Sequence, residues 1–271
     1  MPYRIDKNFK TITANPYKRS TYIEIEPCEA LKPYIHCFWY SKSDGTTKYK
    51  TLIIPDLCMD IILYDNNGFN AKFCGINNNS YYSIGTDVEH FGIRFYSWAA
   101  ALFSDETMCG ALNAYDSAQK YFSDFSNQTA EEILCADSLF EKKRLAEKYL
   151  LKKLGKRSIE PVVLNSIFYA ISRNGKETVA DLSDYNAVSK RKLERDFLST
   201  TGISPKQMIS LIRYQLLWQD AVKKDFNVLD RVDKFGYYDQ PHLLKEFKKY
   251  HGLTLSEARK EIFNLSHFYN T

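Results

Sequence analysis

The hydrophobic pattern of the first hundred residues is typical of short strands. Aromatic and β-branched residues stand in brief runs, which turn residues such as Ser43-Asp44-Gly45 and Asn77-Asn78-Asn79 interrupt. Such runs predict strands. The predicted strands span residues 22–25, 35–40, 52–54, 59–64, 71–74, 81–84 and 91–95. Many short strands at close spacing favour a sandwich or a small barrel.

From about residue 98 onward the apolar positions follow a helical period. A long helix is predicted over residues 129–154, with acidic residues in its first turn and lysines in its last, as the helix dipole favours. Seven more helices are predicted from Pro161 onward. The first of these ends near Gly175, and the others span residues 178–185, 189–200, 205–224, 228–235, 239–250 and 256–265.

Part of the C-terminal half occurs twice, at an offset of 50 residues. Each copy has a Leu and a Phe four residues apart on one helix face, and a Gly five residues later, where a left-handed helix end is easiest. The matched positions are Leu193, Phe197 and Gly202 in the first copy and Leu243, Phe247 and Gly252 in the second. Ser189 and Asp239 are helix-start residues, and a further short helix precedes each. The sequence therefore predicts two helix-turn-helix units.

The helix between the two units has a length that suits DNA. Its 20 residues, 205–224, span roughly 30 Å at about 1.5 Å each. Successive major-groove faces on one side of B-DNA are roughly 34 Å apart. One chain can thus place both short helices in adjacent grooves without dimerising.

These patterns predict an α+β chain of two domains. Residues 1–155 are predicted to form a small β-barrel with flanking helices, and residues 156–271 an all-α domain. The link is placed at Gly155-Lys156-Arg157-Ser158. The helix at 129–154 carries more apolar residues than one protomer face needs, so we expect it to form part of a homodimer contact.

Charge is distributed unevenly along the chain. Lys and Arg number 18 against 19 Asp and Glu in residues 1–155, but 19 against 14 in residues 156–271. Residues 188–215 hold six basic side chains and only two acidic ones, a basic stripe that suits phosphates. The first 30 residues lack the apolar core of a signal peptide, and no run of 18 apolar residues occurs. We expect a cytoplasmic protein without membrane contact.

The residues that carry catalysis or bind metals are sparse. All six cysteines lie in the first half, and none forms a C-x-x-C pair or a zinc framework. They are predicted to be small buried hydrophobes, with a redox or metal sensor as the alternative. That half holds only His36 and His90, with no H-x-H motif. We therefore expect no enzyme, no metal and no cofactor.

The ordered landmarks of the C-terminal half resemble a known family. Over about residues 159–262 they look like the double helix-turn-helix DNA-binding domain of the AraC/XylS transcription regulators. The matching landmarks are Ser189-x3-Leu193-x-Arg195-x-Phe197, Gly202-x-Ser204-Pro205, Arg213, Gly236-Tyr237, Phe247-Lys248 and Gly252. The N-terminal half resembles the cupin-like domain of unknown function that precedes this module in some members. The residues there are Ile54-Pro55-Asp56, Asp60-Ile61-Ile62 and Gly92-Ile93-Arg94-Phe95.

The resemblance implies a transcription regulator whose first domain senses a small-molecule effector or a protein partner. It also implies a homodimer, with RNA polymerase as a candidate further partner. Two positions depart from the family pattern. Arg231-Val232 stands where Ile-Ala is usual, and Tyr96-Ser97 stands where Pro-Gly often follows Arg-Phe.

The first unit offers side chains that can read bases in the major groove. Lys190, Arg191, Glu194 and Arg195 lie opposite the Leu and Phe of the repeat on a helix wheel. Arginine can donate two hydrogen bonds to guanine, and a glutamate can accept one from cytosine. The resemblance places the base readers on Arg191 and Arg195; the alternative is a solvated charged face. Ser189 and Arg213 complete this predicted set of DNA contacts.

The second unit has lost hydrogen-bonding groups. Pro241 and Leu244 occupy the positions equivalent to Arg191 and Glu194. Gln240 can read adenine, and His242 lies at the margin of the face, whereas Lys245 and Lys248 suit phosphates. We expect the first helix to read and the second to anchor.

The N-terminal half offers a weaker candidate for a ligand site. Aromatic residues can line a cavity, although strand aromatics also form ordinary core. The candidates are Trp39, Asp56, Asp60, Tyr64, Tyr82 and Arg94.

Three functions compete. The leading one is a dimeric regulator that binds double-stranded DNA in a sequence-specific manner. The second is a ligand- or protein-binding module whose DNA contact is secondary. The third, a repair methyltransferase fused to such a module, needs a zinc-bound reactive cysteine, which the scattered cysteines argue against. Steeply salt-dependent DNA binding separates the first from the others.

Overall fold

The computed structural model describes residues 20–43, 50–84, 88–155, 160–223 and 225–266. The predicted turn at Ser43-Asp44-Gly45, the link after Gly155 and the end of the bridging helix at Lys224 extend outside the described residues.

An antiparallel sheet dominates the N-terminal half. The strands are β1 (Ser20–Ile25), β2 (Ile35–Ser43), β3 (Lys50–Ile53), β4 (Cys58–Asp65), β5 (Phe69–Cys74), β6 (Tyr81–Ile84), β7 (His90–Tyr96) and β8 (Tyr115–Ser117). Six of them form one sheet in the order β1-β2-β7-β4-β5-β8, and β3 pairs with β6. The seven predicted strands and the α+β class are confirmed, whereas β8 was not predicted. The cupin-like description stays a prediction.

The two faces of the six-stranded sheet differ in chemistry. Register pairs Asp60 with Arg94 and with Cys74, so these side chains share one face. Neighbours in sequence, such as Ile61 and Ile93, point to the other face and are fully buried. One face is therefore an apolar core and the other, the polar sheet face, carries charge.

Helices α1 (Ala100–Phe103), α2 (Asn127–Leu134) and α3 (Leu139–Lys153) and a short 3-10 turn at Ala118–Lys120 complete this half. The prediction of one helix over 129–154 is wrong, because the helix is interrupted between Cys135 and Ser138 and a second helix begins there. The Ser138 side chain accepts a hydrogen bond from the Glu141 amide and starts a new helix. A Ser with a Glu three residues later is a start signal that the sequence already contained.

Over its described residues, the C-terminal half forms the seven predicted helices. They are α4 (Pro161–Ser172), α5 (Val179–Tyr185), α6 (Lys190–Thr201), α7 (Pro205–Ala221), α8 (Val228–Lys234), α9 (Gln240–His251) and α10 (Leu255–Ser266). The bridging helix α7 is shorter than predicted, 17 residues, or about 26 Å at 1.5 Å each. None of the helices in the described ranges has the length and hydropathy needed to cross a membrane.

The buried apolar side chains of the two halves form a continuous core. Trp98, which follows β7, packs its ring 5.7 Å from that of Phe168 in α4. The first helix of the C-terminal half, α4, thus packs on the N-terminal half.

Candidate nucleic-acid interface and polar sheet face

Local contacts fix the first recognition helix, α6. The Ser189 hydroxyl accepts a hydrogen bond from the Lys192 amide at 3.2 Å and caps the helix start. Leu193 and Phe197 are fully buried. Gly202 ends the helix in the left-handed conformation, with φ 73°. The buried face and the two capped ends fix the position of α6, and its opposite face is exposed to solvent.

The open face of α6 carries the predicted base readers. Lys190, Arg191 and Arg195 are exposed, and Glu194 is half-buried beside them. The Arg195 side chain is 73% exposed, and its Nε lies 3.4 Å from the buried carboxylate of Asp196. A guanidinium has five N–H donors, so this ion pair leaves donors available for a base edge.

The second recognition helix, α9, repeats this construction. The Asp239 carboxylate accepts a hydrogen bond from the His242 amide at 2.7 Å. Leu243 and Phe247 are fully buried. Gly252 ends the helix with φ 80°. The repeat in the sequence is therefore a repeat in structure, with equivalent faces buried and exposed.

The open face of α9 is mainly cationic. Lys245, Lys248 and His242 are exposed, and Gln240 is half-buried. Sequence reasoning missed Tyr238, which is 91% exposed one residue before the N-cap of α9. Its position at the start of a recognition helix was the signal that could have identified it.

Arg213 lies largely inside the fold and not on the open surface, and its contact with DNA stays a prediction. Its side chain is 15% exposed, and its Nε lies 3.7 Å from the Glu246 carboxylate. The guanidinium stacks over the Tyr237 ring at 5.0 Å and donates a hydrogen bond to the Gly236 carbonyl at 3.5 Å. Arg213 therefore braces the second helix-turn-helix unit against α7.

The departure at Arg231 has a structural explanation. Arg231 Nε donates to the buried Asp220 carboxylate at 2.9 Å, and Lys234 and Lys223 reach the same group at 2.7 Å each. Burial alone would raise the pKa of Asp220, but hydrogen bonds from Lys223 and Lys234 outweigh it and lower the pKa to about 2. An ion-pair cluster thus holds α8 against α7, where the family pattern has apolar residues.

On the polar sheet face, four of the predicted ligand residues come together. The Asp60 carboxylate accepts hydrogen bonds from Trp39 Nε1 and Arg94 Nε, both at 2.9 Å. Arg94 Nη1 lies 3.5 Å from the Asp56 carboxylate, and among the described residues it finds no hydrogen-bond acceptor. The Trp39 indole lies so close over Gly92 that a side chain there would overlap it.

The protonation state of Asp56 depends on opposing effects. Burial raises the pKa of its carboxyl, the Arg94 guanidinium lowers it, and the Asp60 carboxylate raises it again. Trp39, Asp56, Asp60 and Arg94 form what we call the Arg94 cluster.

Tyr64 and Tyr82 lie away from the Arg94 cluster. Tyr64 is four residues beyond Asp60 on the same strand, about 13 Å at roughly 3.3 Å per residue, and packs against His90. Tyr82 is 52% exposed. Its neighbour Tyr81 is 46% exposed. Partial burial raises the Tyr81 pKa, and the Cys74 thiol and the Asp60 carboxylate add to this.

The cysteines divide by position. Cys37, Cys58 and Cys74 are buried, as predicted, and burial raises the pKa of their thiols. The prediction of burial is wrong for Cys109 and Cys135, which are exposed. Within the described ranges, no three His, Cys, Asp or Glu side chains are grouped as a metal site.

The fold and the two exposed recognition helices define a DNA-binding protein of the double helix-turn-helix class. Comparison with family models agrees. Residues 182–261 match a helix-turn-helix domain of the AraC type, and residues 23–113 match a domain of unknown function, DUF6597. The chain is accordingly a DNA-binding transcription regulator of the AraC type, with a DUF6597 domain ahead of its DNA-binding domain.

Solved structures of ToxT from Vibrio cholerae are similar to this chain at low identity. A 1.65 Å ToxT structure shares 11% identity with a TM-score of 0.44, covering 89% of this chain and 97% of that chain. ToxT from strain O395 shares 12% identity with a TM-score of 0.40, covering 90% and 98%. Unsaturated fatty acid bound ToxT shares 11% identity with a TM-score of 0.38, covering 89% and 94%. A search of curated protein sequences finds no match.

Proposed function

We propose that this regulator recognises its operator by laying α6 and α9 in successive major-groove faces on one side of the duplex. The observation that carries the proposal is the open face of α6, where Arg191 and Arg195 stand opposite the buried Leu193 and Phe197. A selection from random duplexes with the full chain tests it. Enrichment of one sequence, bound with a steep salt dependence, is the expected result. Retention of random duplexes alone would contradict it.

In this proposal α6 reads the base sequence and α9 mainly binds the phosphate backbone. Arg191 and Arg195 donate to guanine edges and Glu194 accepts from cytosine, while Lys190 contacts phosphate. On α9, Lys245 and Lys248 bind phosphates, and Gln240 and His242 supply limited base contact. The selected operator should then contain one sharply defined half-site and a degenerate one about 10 base pairs away.

An effector site on the polar sheet face is part of the proposal. Arg94 Nη1 is a buried donor without a hydrogen bond, and an acceptor oxygen of a small molecule would satisfy it. A thermal-shift screen of small carboxylates and carbonyl compounds tests this. The hit should raise the unfolding temperature of the full chain but not that of Arg94→Met. An equal shift in both proteins would place the ligand elsewhere.

We further propose a cytoplasmic homodimer that contacts RNA polymerase at its promoter. Residues 1–155 would form the sensing and dimerising domain and residues 156–271 the DNA-binding domain. An exposed stripe on α3 supports the dimer: Phe140 is 70% exposed and Leu151 is 42% exposed, with Arg144 and Lys148 between them on the same face.

A further inference from the structure

Both recognition helices end against the N-terminal half. In α6 the Ser199 carbonyl accepts a hydrogen bond from the Met108 amide at 2.9 Å, and in α9 the Tyr250 carbonyl accepts one from the Ser80 amide at 3.1 Å. Carbonyls in the last turn of a helix have no partner within that helix. Here the N-terminal half supplies the partner in both copies of the repeat.

The glycines that end these helices allow the close approach. A Cβ on Gly202 would lie 2.7 Å from the Met108 carbonyl oxygen, and one on Gly252 would collide with the Ser80 hydroxyl. Each glycine therefore serves two purposes: it adopts a positive φ and leaves room for the N-terminal half.

A third contact reaches the bridging helix between the two units. The buried Gln215 side chain of α7 donates a hydrogen bond from Nε2 to the Pro55 carbonyl. Pro55 precedes Asp56, which pairs with Arg94. We call the Met108–Ser199, Ser80–Tyr250 and Pro55–Gln215 hydrogen bonds the docking contacts.

We propose that the docking contacts set the distance between the two half-sites that the chain accepts on DNA. The inference rests on the proposed function. It assigns a specificity role to Ser80, Met108 and Gln215, which do not touch DNA. Without the docking contacts, α6 and α9 would be connected only through α7, a single helix whose two ends lie about 26 Å apart. Holding the C-terminal end of each recognition helix on a common platform removes rotation of one unit relative to the other.

The relative orientation of the units determines which spacing fits. One base pair changes the separation of two half-sites by about 3.4 Å and their angle by roughly 36°, a tenth of a helical turn. Rigidly docked units accept one spacing, because another requires that the contacts break. Units without the docking contacts can rotate to fit other spacings, so their affinity depends less on the spacing between the half-sites.

Substitutions at two docking contacts test the proposal in the full chain. Gln215→Leu removes the donor to Pro55 at nearly constant volume, and Gln219→Leu makes the same change one turn later in α7 as its control. Ser80→Trp wedges a large side chain against the end of α9, and Asn79→Trp places one on the exposed neighbouring residue. Circular dichroism verifies folding, and two independent sites keep the test decisive if one variant fails to fold.

The measurement is affinity for the selected operator and for duplexes with one or two base pairs inserted or removed between the half-sites. The unmodified chain and both controls should prefer one spacing by about tenfold or more, whereas Gln215→Leu and Ser80→Trp should reduce the preference to about threefold or less. An unchanged preference in both variants would overturn the inference. Tighter binding of the variants at every spacing would also overturn it, because the docking contacts would then hold the units in an arrangement that binds DNA poorly. Failure of the unmodified chain to select any sequence would instead refute the proposed function, and this inference with it.

Discussion

At the residue scale, Arg195 is the side chain whose removal should change base preference most clearly. It is exposed on the open face of α6, opposite Leu193 and Phe197. Arg195→Ala should weaken binding by about 1 to 3 kcal/mol at operators that carry the recognised base, with little effect when that base is replaced. Competition titrations on the selected operator and its single-base variants measure the difference.

Lys190→Ala is the matched control for Arg195, since it removes an exposed cation from the same helix. It should weaken specific and random duplexes by similar factors. If Arg195→Ala behaves in the same way, Arg195 contacts phosphate and another residue reads the base.

His251 should make the stability of the chain depend on pH. It is 3% exposed, and its Nδ1 lies 2.9 Å from the Tyr214 hydroxyl. Burial lowers the pKa of His251 to about 4, whereas an unfolded histidine titrates near 6.5. The unfolded state therefore binds the proton first on acidification. The contribution of His251 to the free energy of unfolding is fully present above about pH 6.5. It is lost as the pH falls towards 4, and the loss is on the order of 2 to 3 kcal/mol.

Urea unfolding at several pH values measures this dependence. Burial also lowers the pKa of His36 and His90, so they act in the same direction. His251→Phe should flatten the slope between pH 6.5 and 4 but not abolish it, because His36 and His90 remain. An identical slope in His251→Phe would show that His251 does not control the acid response.

At the element scale, α9 should anchor the protein rather than read the sequence. Lys245→Ala combined with Lys248→Ala removes two exposed cations. Affinity should fall alike for operator and random duplexes, and the salt slope should decrease by roughly 1 to 2 units, as two lost phosphate contacts require. Binding measured between low and moderate salt gives the slope.

A selection from random duplexes also tests whether α9 reads bases. Two equally sharp half-sites per protomer would mean that α9 reads bases through Gln240, His242 or Tyr238. In that case the double lysine variant should lose affinity unequally across sequences.

How far the sequence predicts an element depends on whether its signal is local. The caps at Ser189 and Asp239 and the glycines at the helix ends are local, and the recognition helices are confirmed to within one residue. The break before Ser138 was also local but was overlooked. Arg231 could not be interpreted from its neighbours, because its partner Asp220 lies 11 residues away at the end of another helix.

At the scale of the whole molecule, tertiary contacts decide features that the residue pattern does not contain. Gly202 and Gly252 read as helix stops, and nothing near them in the sequence indicates that the N-terminal half lies against both. Arg213 reads as part of a basic stripe, yet its pairing with Glu246 turns it inward. The exposure of a side chain on one helix therefore follows from the local pattern, whereas an orientation that depends on the packing of several elements does not.

The proposed homodimer belongs to the same scale and depends on a surface that α3 leaves uncovered. Most apolar residues of α3 serve the protomer itself, since Ala146 and Leu150 are fully buried. Phe140 and Leu151 remain exposed on one stripe. If that stripe meets its counterpart in a second copy, Phe140→Lys with Leu151→Lys adds cations to the Arg144 and Lys148 already on the stripe. Like charges would then meet across the contact, which should convert a dimer into a monomer.

Sedimentation of the full chain at on the order of tens of micromolar, a range in which weak dimers persist, distinguishes these states. The unmodified chain should sediment as a dimer and the double variant as a monomer, while Tyr185→Glu, a change at another exposed aromatic, should remain dimeric. A monomeric unmodified chain across this range would remove the dimer. Dissociation by Tyr185→Glu instead would move the contact to α5, where the Tyr185 ring stacks 4.1 Å from that of Tyr169. If one protomer spans two groove faces, as we propose, a monomer would still bind one pair of half-sites, and only cooperative binding to a second pair would be lost.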